Sequence, residues 1–222
     1  RRQRQMCIRD STYSMLVYDI KPDEFEYAFS FDGPYEPAKG LLFNEENVLL
    51  DPYSRAVTGQ RKWGEKPEGG KDFEYRARVV KSSFDWGNIK QLEQPFEDLV
   101  IYEIHVRGYT KDKSSGVSAP GTFAGLKDKI PYLKDLGINA VELMPIFEFD
   151  EMESARVVDG VQLYNYWGYN TVSFFAPNTS YAFNEEHNHE GDELKSLIKA
   201  LKENGIEAVS YTHLRAHETR SN

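Results

Sequence analysis

Two dense apolar runs constrain the fold of this chain more than any other feature. Leu99-Val100-Ile101-Tyr102-Glu103-Ile104-His105-Val106 and Ala140-Val141-Glu142-Leu143-Met144 are short and rich in β-branched residues, and Pro145 closes the second. That pattern suits strands buried in a sheet. Between them Phe123, Leu126, Ile130, Leu133 and Leu136 fall at helical spacing. Thr122 is suited to cap this helix. Pro131 should split or kink it, because proline lacks a backbone donor, and Gly137 is a natural stop. Leu194, Leu197, Ile198 and Leu201 predict a second helix over 193–204, ended by Asn204-Gly205, and Ile206 opens a third strand. Strand, helix, strand, helix, strand implies a parallel sheet.

Residues 12–95 read differently. Phe25, Tyr27, Phe29 and Phe31 alternate with Glu24, Glu26, Ala28 and Ser30, the period of a half-buried strand. Asp32-Gly33-Pro34 should end it in a turn. Val48-Leu49-Leu50, stopped by Asp51-Pro52, is a second strand, and Tyr75, Ala77 and Val79 mark another. Residues 64–70 form a glycine-rich polar connection. The expected architecture is multidomain, β then α/β: a partial β-sandwich over 12–95, followed by the first strands and helices of a (β/α)8 barrel over 96–208. An all-β region in front favours a barrel over a doubly wound sheet. Barrels run to roughly 250 residues, so this would be the first quarter to third of one.

The ends look foreign. Residues 1–11 and 209–222 resemble translated sequencing-adapter DNA and are set aside from fold reasoning. Cys7, the one cysteine of the 222-residue chain, lies in the first of them. The remainder therefore has neither a disulfide framework nor a thiolate metal site. The formal net charge of -9 argues against nucleic acid or an anionic membrane as partner. No apolar run approaches the roughly 18 residues of a membrane span.

Asn165-Tyr166-Trp167-Gly168-Tyr169-Asn170-Thr171 is the candidate site. Flat apolar rings with polar tips suit a sugar, which has apolar C–H faces and polar edges. A core aromatic cluster is the alternative. Other clusters read as structural. Glu148, Asp150, Glu151 and Glu153 are expected to form a solvated loop. His187-Asn188-His189-Glu190 lacks the spacing that puts two ligands on one helical face and is expected to be a polar loop, so no metal is expected. His105 is expected in the core, and Asp192 and Glu193 as helix-start charges. Glu103 and Glu142 need partners if buried, with Arg107 a candidate. Trp63, Trp86 and the Phe25/Tyr27 strand are assigned to packing rather than to sugar binding.

The motifs together resemble a known family. Residues 100–110, from Val100 to Thr110, resemble the first barrel strand of glycoside hydrolase family 13, the α-amylase family. Gly137-Ile138-Asn139-Ala140-Val141-Glu142-Leu143-Met144-Pro145-Ile146 resembles its second. Phe147-Glu148-Phe149-Asp150-Glu151 with Tyr166-Trp167-Gly168-Tyr169-Asn170 is similar to the isoamylase and glycogen-debranching branch, and Leu49-Leu50-Asp51-Pro52-Tyr53 to a family 48 carbohydrate-binding module. The resemblance implies hydrolysis of α-1,6 branch linkages in glycogen or starch-like glucans, with retention and without a cofactor. Retention needs a nucleophilic carboxylate and a carboxylic acid about 5–5.5 Å apart. In the family these sit on later strands, so no catalytic residue is expected within this chain. Tyr169 matches the tyrosine that stacks on glucose at the cleavage subsite, with Trp167 and Asn170 as neighbours shaping it. The expected partner is an α-glucan, and the expected location is cytoplasmic. The alternatives are a non-catalytic glucan-binding protein or, within the family, a branching or trehalose-releasing enzyme.

Overall fold

The computed structural model describes residues 4–9, 12–65, 75–81 and 83–210. Strands β1 (Arg4–Arg9) and β2 (Thr12–Val17) pair antiparallel. β3 (Glu26–Tyr27) and β4 (Phe29–Glu36) follow, then β5 (Leu41–Leu49) and the short β6 (Ala77–Arg78). β4 pairs with β5 and β3 with β6, both antiparallel. The N-terminal part is thus built from two-stranded ladders.

The expected turn at Asp32-Gly33-Pro34 is not where the chain reverses. β4 runs through it with a register irregularity between Phe31 and Tyr35. The Phe43 ring covers the spot where a Cβ on Gly33 would stand, so glycine admits a cross-strand ring rather than a turn. The reversal comes at a 3-10 turn, Pro37–Lys39, closed by Gly40 at φ 75°, a conformation natural to glycine. The expected half-burial of this region also fails beyond Tyr27. Phe29, Phe31, Tyr35 and Phe43 are exposed, because no second layer among the described residues covers the hairpin. The strand expected from Tyr75 to Val79 shrinks to two residues. Its Arg78 is buried and paired with Glu26. Of the expected connection at 64–70, residues 66–70 lie outside the described residues, as do 1–3, 10–11 and 211–222 of the foreign-looking ends.

The second part follows expectation closely. β7 (Ile101–Ile104) leads into helix α1 (Val106–Thr110). Helices α2 (Phe123–Lys127) and α3 (Ile130–Asp135) come next. The Thr122 hydroxyl accepts from the Gly125 N–H at 3.1 Å. Pro131 sits in the first turn of α3, where no backbone donor is needed, so the chain breaks into two helices rather than one kinked one. Gly137 takes φ 83°. β8 (Ala140–Leu143) pairs parallel with β7, Ile101 opposite Ala140 and Ile104 opposite Leu143.

An excursion unforeseen from sequence then intervenes. It contains β9 (Phe147–Phe149), the hairpin β10 (Arg156–Val158) and β11 (Val161–Leu163), and β12 (Thr171–Pro177), which returns antiparallel to β9. Helix α4 (Glu190–Glu203) begins three residues before the expected 193 and leads to β13 (Glu207–Ser210), parallel to β8. The sheet order β13-β8-β7 puts β8 in the middle, which is why Val141 and Leu143 are buried. Helices α2, α3 and α4 lay Phe123, Leu126, Leu133, Leu197 and Leu201 against Ile104, Val141, Leu143 and Ile206. Each such side chain contributes about 1.5–3 kcal/mol on leaving water.

Candidate functional site

The C-terminal ends of β7 and β8 open onto one aromatic assembly. His105, directly after β7, caps α1: its Nδ1 accepts from the Gly108 N–H at 2.9 Å. The opposite nitrogen, Nε2, lies 2.8 Å from the Tyr166 carbonyl. A donating N–H on one side and an accepting carbonyl on the other fix the tautomer with the proton on Nε2. The imidazole also stacks on the Tyr166 ring, centroids 4.4 Å apart and planes 11° apart. Burial, with Arg107 nearby, holds the His105 pKa below its usual value, so the ring is neutral at pH 7. The expectation of a satisfied histidine holds, with the aromatic loop itself as the satisfying partner.

Tyr181 lies at the centre. An Asn178 side chain that accepts from the Ser180 N–H at 2.9 Å shapes the turn that delivers it. Tyr181 is fully buried, edge-on to Phe123, Phe149 and His105 and parallel to Trp63 at 6.3 Å. Trp63 meets Tyr166 and Phe149 edge-on at 5.6 and 5.9 Å. The Arg107 guanidinium stands 4.3 Å above its indole, a contact on the order of 1 kcal/mol. Arg107 is therefore occupied by Trp63 and not, as expected, by Glu103 or Glu142. Those two glutamates face each other in register across β7 and β8. Burial, then repulsion from Glu103, raises the Glu142 pKa. The assignment of Trp63 to packing holds; Trp86 is partly exposed beside Phe84.

The loop over 166–170 divides into a fixed frame and an open face. Gly168 is buried at φ 78°, and a Cβ there would collide with the Phe149 ring. Tyr166 gives one face to His105 and remains 40% exposed, while Trp167 is 58% and Tyr169 38% exposed. Trp167 and Tyr169 stack offset, centroids 6.4 Å apart and planes 27° apart. The Asn170 amide donates to the Glu153 carboxylate.

The acidic run is not the solvated loop expected from its charge. Glu148 and Glu151 are 0% exposed. Glu148 Oε2 accepts from the Thr179 N–H at 2.7 Å. Glu151 Oε1 accepts from the Gly64 N–H at 3.3 Å, while its Oε2 has no partner among the described residues. Burial is the main cause that pushes Glu148 up to about 8 and Glu151 up to about 7. Period and charge could not reveal this, because the donors lie 31 and 87 residues away. Asp150 takes the Gln60 amide and the Met152 N–H.

The remaining candidates are structural. Asn188, at φ 70°, accepts from Arg78 and donates to the Val79 carbonyl. Its neighbour His189 lies 3.2 Å from Glu186. His187 is pushed down to about 4 by burial, then by Arg61 and Arg78. Asp192 pairs with Lys195. Glu193, expected to serve its own helix start, instead accepts from the Phe183 and Asn184 N–H groups. It ties the preceding loop to α4.

Residues 79–210 match the family model described as "Alpha amylase, catalytic domain". The chain is 39% identical over 191 residues to "Isoamylase 1, chloroplastic" of Arabidopsis thaliana, covering 82% of this chain and 24% of that one. It is 36% identical over 204 residues to the "Glycogen debranching enzyme" of Yersinia enterocolitica, covering 85% and 30%. It thus spans about a quarter to a third of the length of these curated relatives. The pullulanase type I of Bacillus subtilis, solved with maltose, superposes with a TM-score of 0.66 at 22% identity, over 93% of this chain and 27% of that one. That likeness establishes the fold, and β7, β8 and β13 with their helices are part of an α-amylase-type barrel. With more than half of its residues matched by the family model, the chain belongs to the α-amylase family, glycoside hydrolase family 13.

Proposed function

We propose that the chain is part of an isoamylase-type debranching hydrolase that cleaves α-1,6 branch linkages in glycogen or starch-like glucans with retention. Its own contribution is to hold the glucan. The observation that carries this reading is the Trp167–Tyr169 pair, two exposed rings offered on a loop beyond the C-terminal end of β8. That end is where barrel enzymes build their sites. Tyr169 supplies the face for a glucose ring at the cleavage subsite. Trp167 extends it, and Asn170, steadied by Glu153, shapes the polar edge. The names of the isoamylase and debranching relatives support the substrate class.

The acids described here do not form the retaining pair. Glu148 and Glu151 are closed off from solvent and engaged in backbone hydrogen bonds, so neither can reach a glycosidic bond. We assign the acid pair to other strands of the enzyme. We assign residues 12–95 to a glucan-binding module of family 48 type, built as a partial β-sandwich, and 96–208 to the barrel. Residues 1–11 and 211–222 are assigned to adapter-derived sequence; Val209 and Ser210, expected to belong to that tail, close β13 inside the family match. We place this enzyme in the cytoplasm as a proposal, and the acidic balance argues only against nucleic acid or an anionic membrane as partner. Among the described residues no helix is long and apolar enough to cross a membrane.

Affinity electrophoresis through glycogen, with reducing-end release from pullulan measured in parallel, tests this function. The parent chain is expected to be retarded and to release no reducing ends. Tyr169→Ala should abolish most of the retardation, since losing a stacking ring removes on the order of 1 kcal/mol. Migration of the parent unchanged by glycogen would overturn the reading.

A further inference from the structure

We propose that residues 59–64 are a strap that positions the glucan-facing loop, with Trp63 as the positioning residue. The inference rests on the glucan-binding reading for its functional meaning, though the geometry stands without it.

The strap leaves the N-terminal ladders at Val57, which bridges to Ala77, and crosses onto the excursion beyond β8. It is fastened at each step. A Cβ on Gly59 would collide with Thr179 Oγ1 and Glu148 Oε1, so the backbone lies directly on the Glu148–Thr179 contact. The Gln60 amide donates to Asp150, the Arg61 N–H to Thr179 Oγ1 at 3.2 Å, and the Gly64 N–H to Glu151. Gly64 takes φ 77° against the Tyr164 ring. The two buried glutamates thereby gain a purpose as cleats: Glu151 takes the strap directly through the Gly64 N–H, while Glu148 holds Thr179, whose hydroxyl oxygen accepts from the Arg61 N–H. Exposed carboxylates could not hold it so well, because water would compete for the same N–H groups.

What the strap delivers is one indole. Trp63 is half-buried between Arg107, Tyr181 and Phe149, and it presents its edge to Tyr166. Tyr166 is thus held from two directions, face-on by His105 and edge-on by Trp63. It immediately precedes Trp167. Removing the indole leaves Tyr166 with one support, while the loop keeps its anchor at Gly168. The exposed rings should then sample more orientations without the barrel core being lost. This couples the N-terminal region to the sugar-facing loop through side-chain packing.

Trp86→Phe leaves Trp63 and Trp167 as the remaining tryptophans. In that background Trp63→Ala and Trp63→Phe each leave Trp167 as the sole emitter. Time-resolved fluorescence anisotropy then reads the local motion of the loop itself. The amplitude of fast motion is expected to be roughly twofold larger in the alanine variant than in the phenylalanine variant, because a ring restores the edge contact and a void does not. Far-UV circular dichroism should be unchanged in both, and glycogen retardation should fall for alanine and be kept for phenylalanine. If Trp63→Ala does not fold, Trp63→Leu keeps apolar bulk without a ring and is read the same way. Equal local motion in the ring and non-ring variants overturns the proposal. A parent chain that ignores glycogen sinks the glucan reading, while the anisotropy comparison still decides the strap.

Discussion

Two aromatic-rich regions of this chain meet opposite fates. In the β4–β5 hairpin Phe29, Phe31, Tyr35 and Phe43 stand exposed. Around Tyr181 the rings of Phe123, Phe149 and Trp63 close into a core that also holds one face of Tyr166 through His105 and Trp63. Local sequence does not distinguish them: both are dense in rings, and the hairpin has the cleaner alternation. The difference is whether another element arrives to cover the face. Helix α2, the strap and β9 converge on Tyr181, whereas among the described residues the hairpin's named strand partner is its own second strand. Alternation therefore reports strand geometry, and burial is decided by what packs on top.

Substitution at the covered centre should give the largest effect. Tyr181→Ala is expected to lower stability by about 3–5 kcal/mol, as for other fully buried aromatics, with the midpoint of urea unfolding as the measurement. An effect below about 1 kcal/mol would mean the ring assembly is not a core at all.

Next in size is a pH effect at the cleats. Glu148 is raised from 4.5 to about 8 by burial, so in the native state it holds its proton where the unfolded chain has released it. Its contribution is fully present below about 4.5 and is lost as pH rises through about 8. Glu151, raised to about 7, acts with the same sign. Glu148→Gln should therefore flatten the decline in stability between pH 5 and 8. At pH 8.5 it should exceed the parent by on the order of 1–2 kcal/mol, since each pKa unit is worth about 1.4 kcal/mol. Chemical denaturation at several pH values would show this, and identical slopes for parent and variant would contradict it.

Tyr27 marks the border between the regions. Its hydroxyl donates to Asp51 at 2.6 Å, and burial followed by that carboxylate pushes it up to about 12. Tyr27→Phe should lose roughly 1 kcal/mol, the typical net worth of an intramolecular hydrogen bond. Phe31→Ser, fully within the open hairpin, should shift stability by no more than about 0.5 kcal/mol while reducing self-association in sedimentation velocity. A large loss there would show that the hairpin is covered in solution.

The legible parts of this molecule are those whose causes lie close in sequence. β7, β8, the Thr122 cap, the break at Pro131 and the stop at Gly137 all depend on residues within a few positions of one another. The unforeseen parts depend on distant partners. Glu148 and Glu151 read as solvated charges until Thr179 and Gly64 are brought to them. Arg107 seemed made for a strand glutamate, but the nearest aromatic face took it. The antiparallel return of β12 onto β9 carries bulges and short segments that blur any period-two signal. Of the candidate site, the rings of Trp167 and Tyr169 were visible in the sequence; the machinery behind them was not.

Gly168 carries a consequence for anyone wishing to alter what this loop recognises. With the Phe149 ring standing where a Cβ would go and its backbone at φ 78°, that position admits no other residue without dislodging the core. Positions 167, 169 and 170 turn outward and obey no such restriction. A combinatorial library should therefore vary those three codons and leave the glycine untouched, much as a typesetter changes the letters while the forme stays locked.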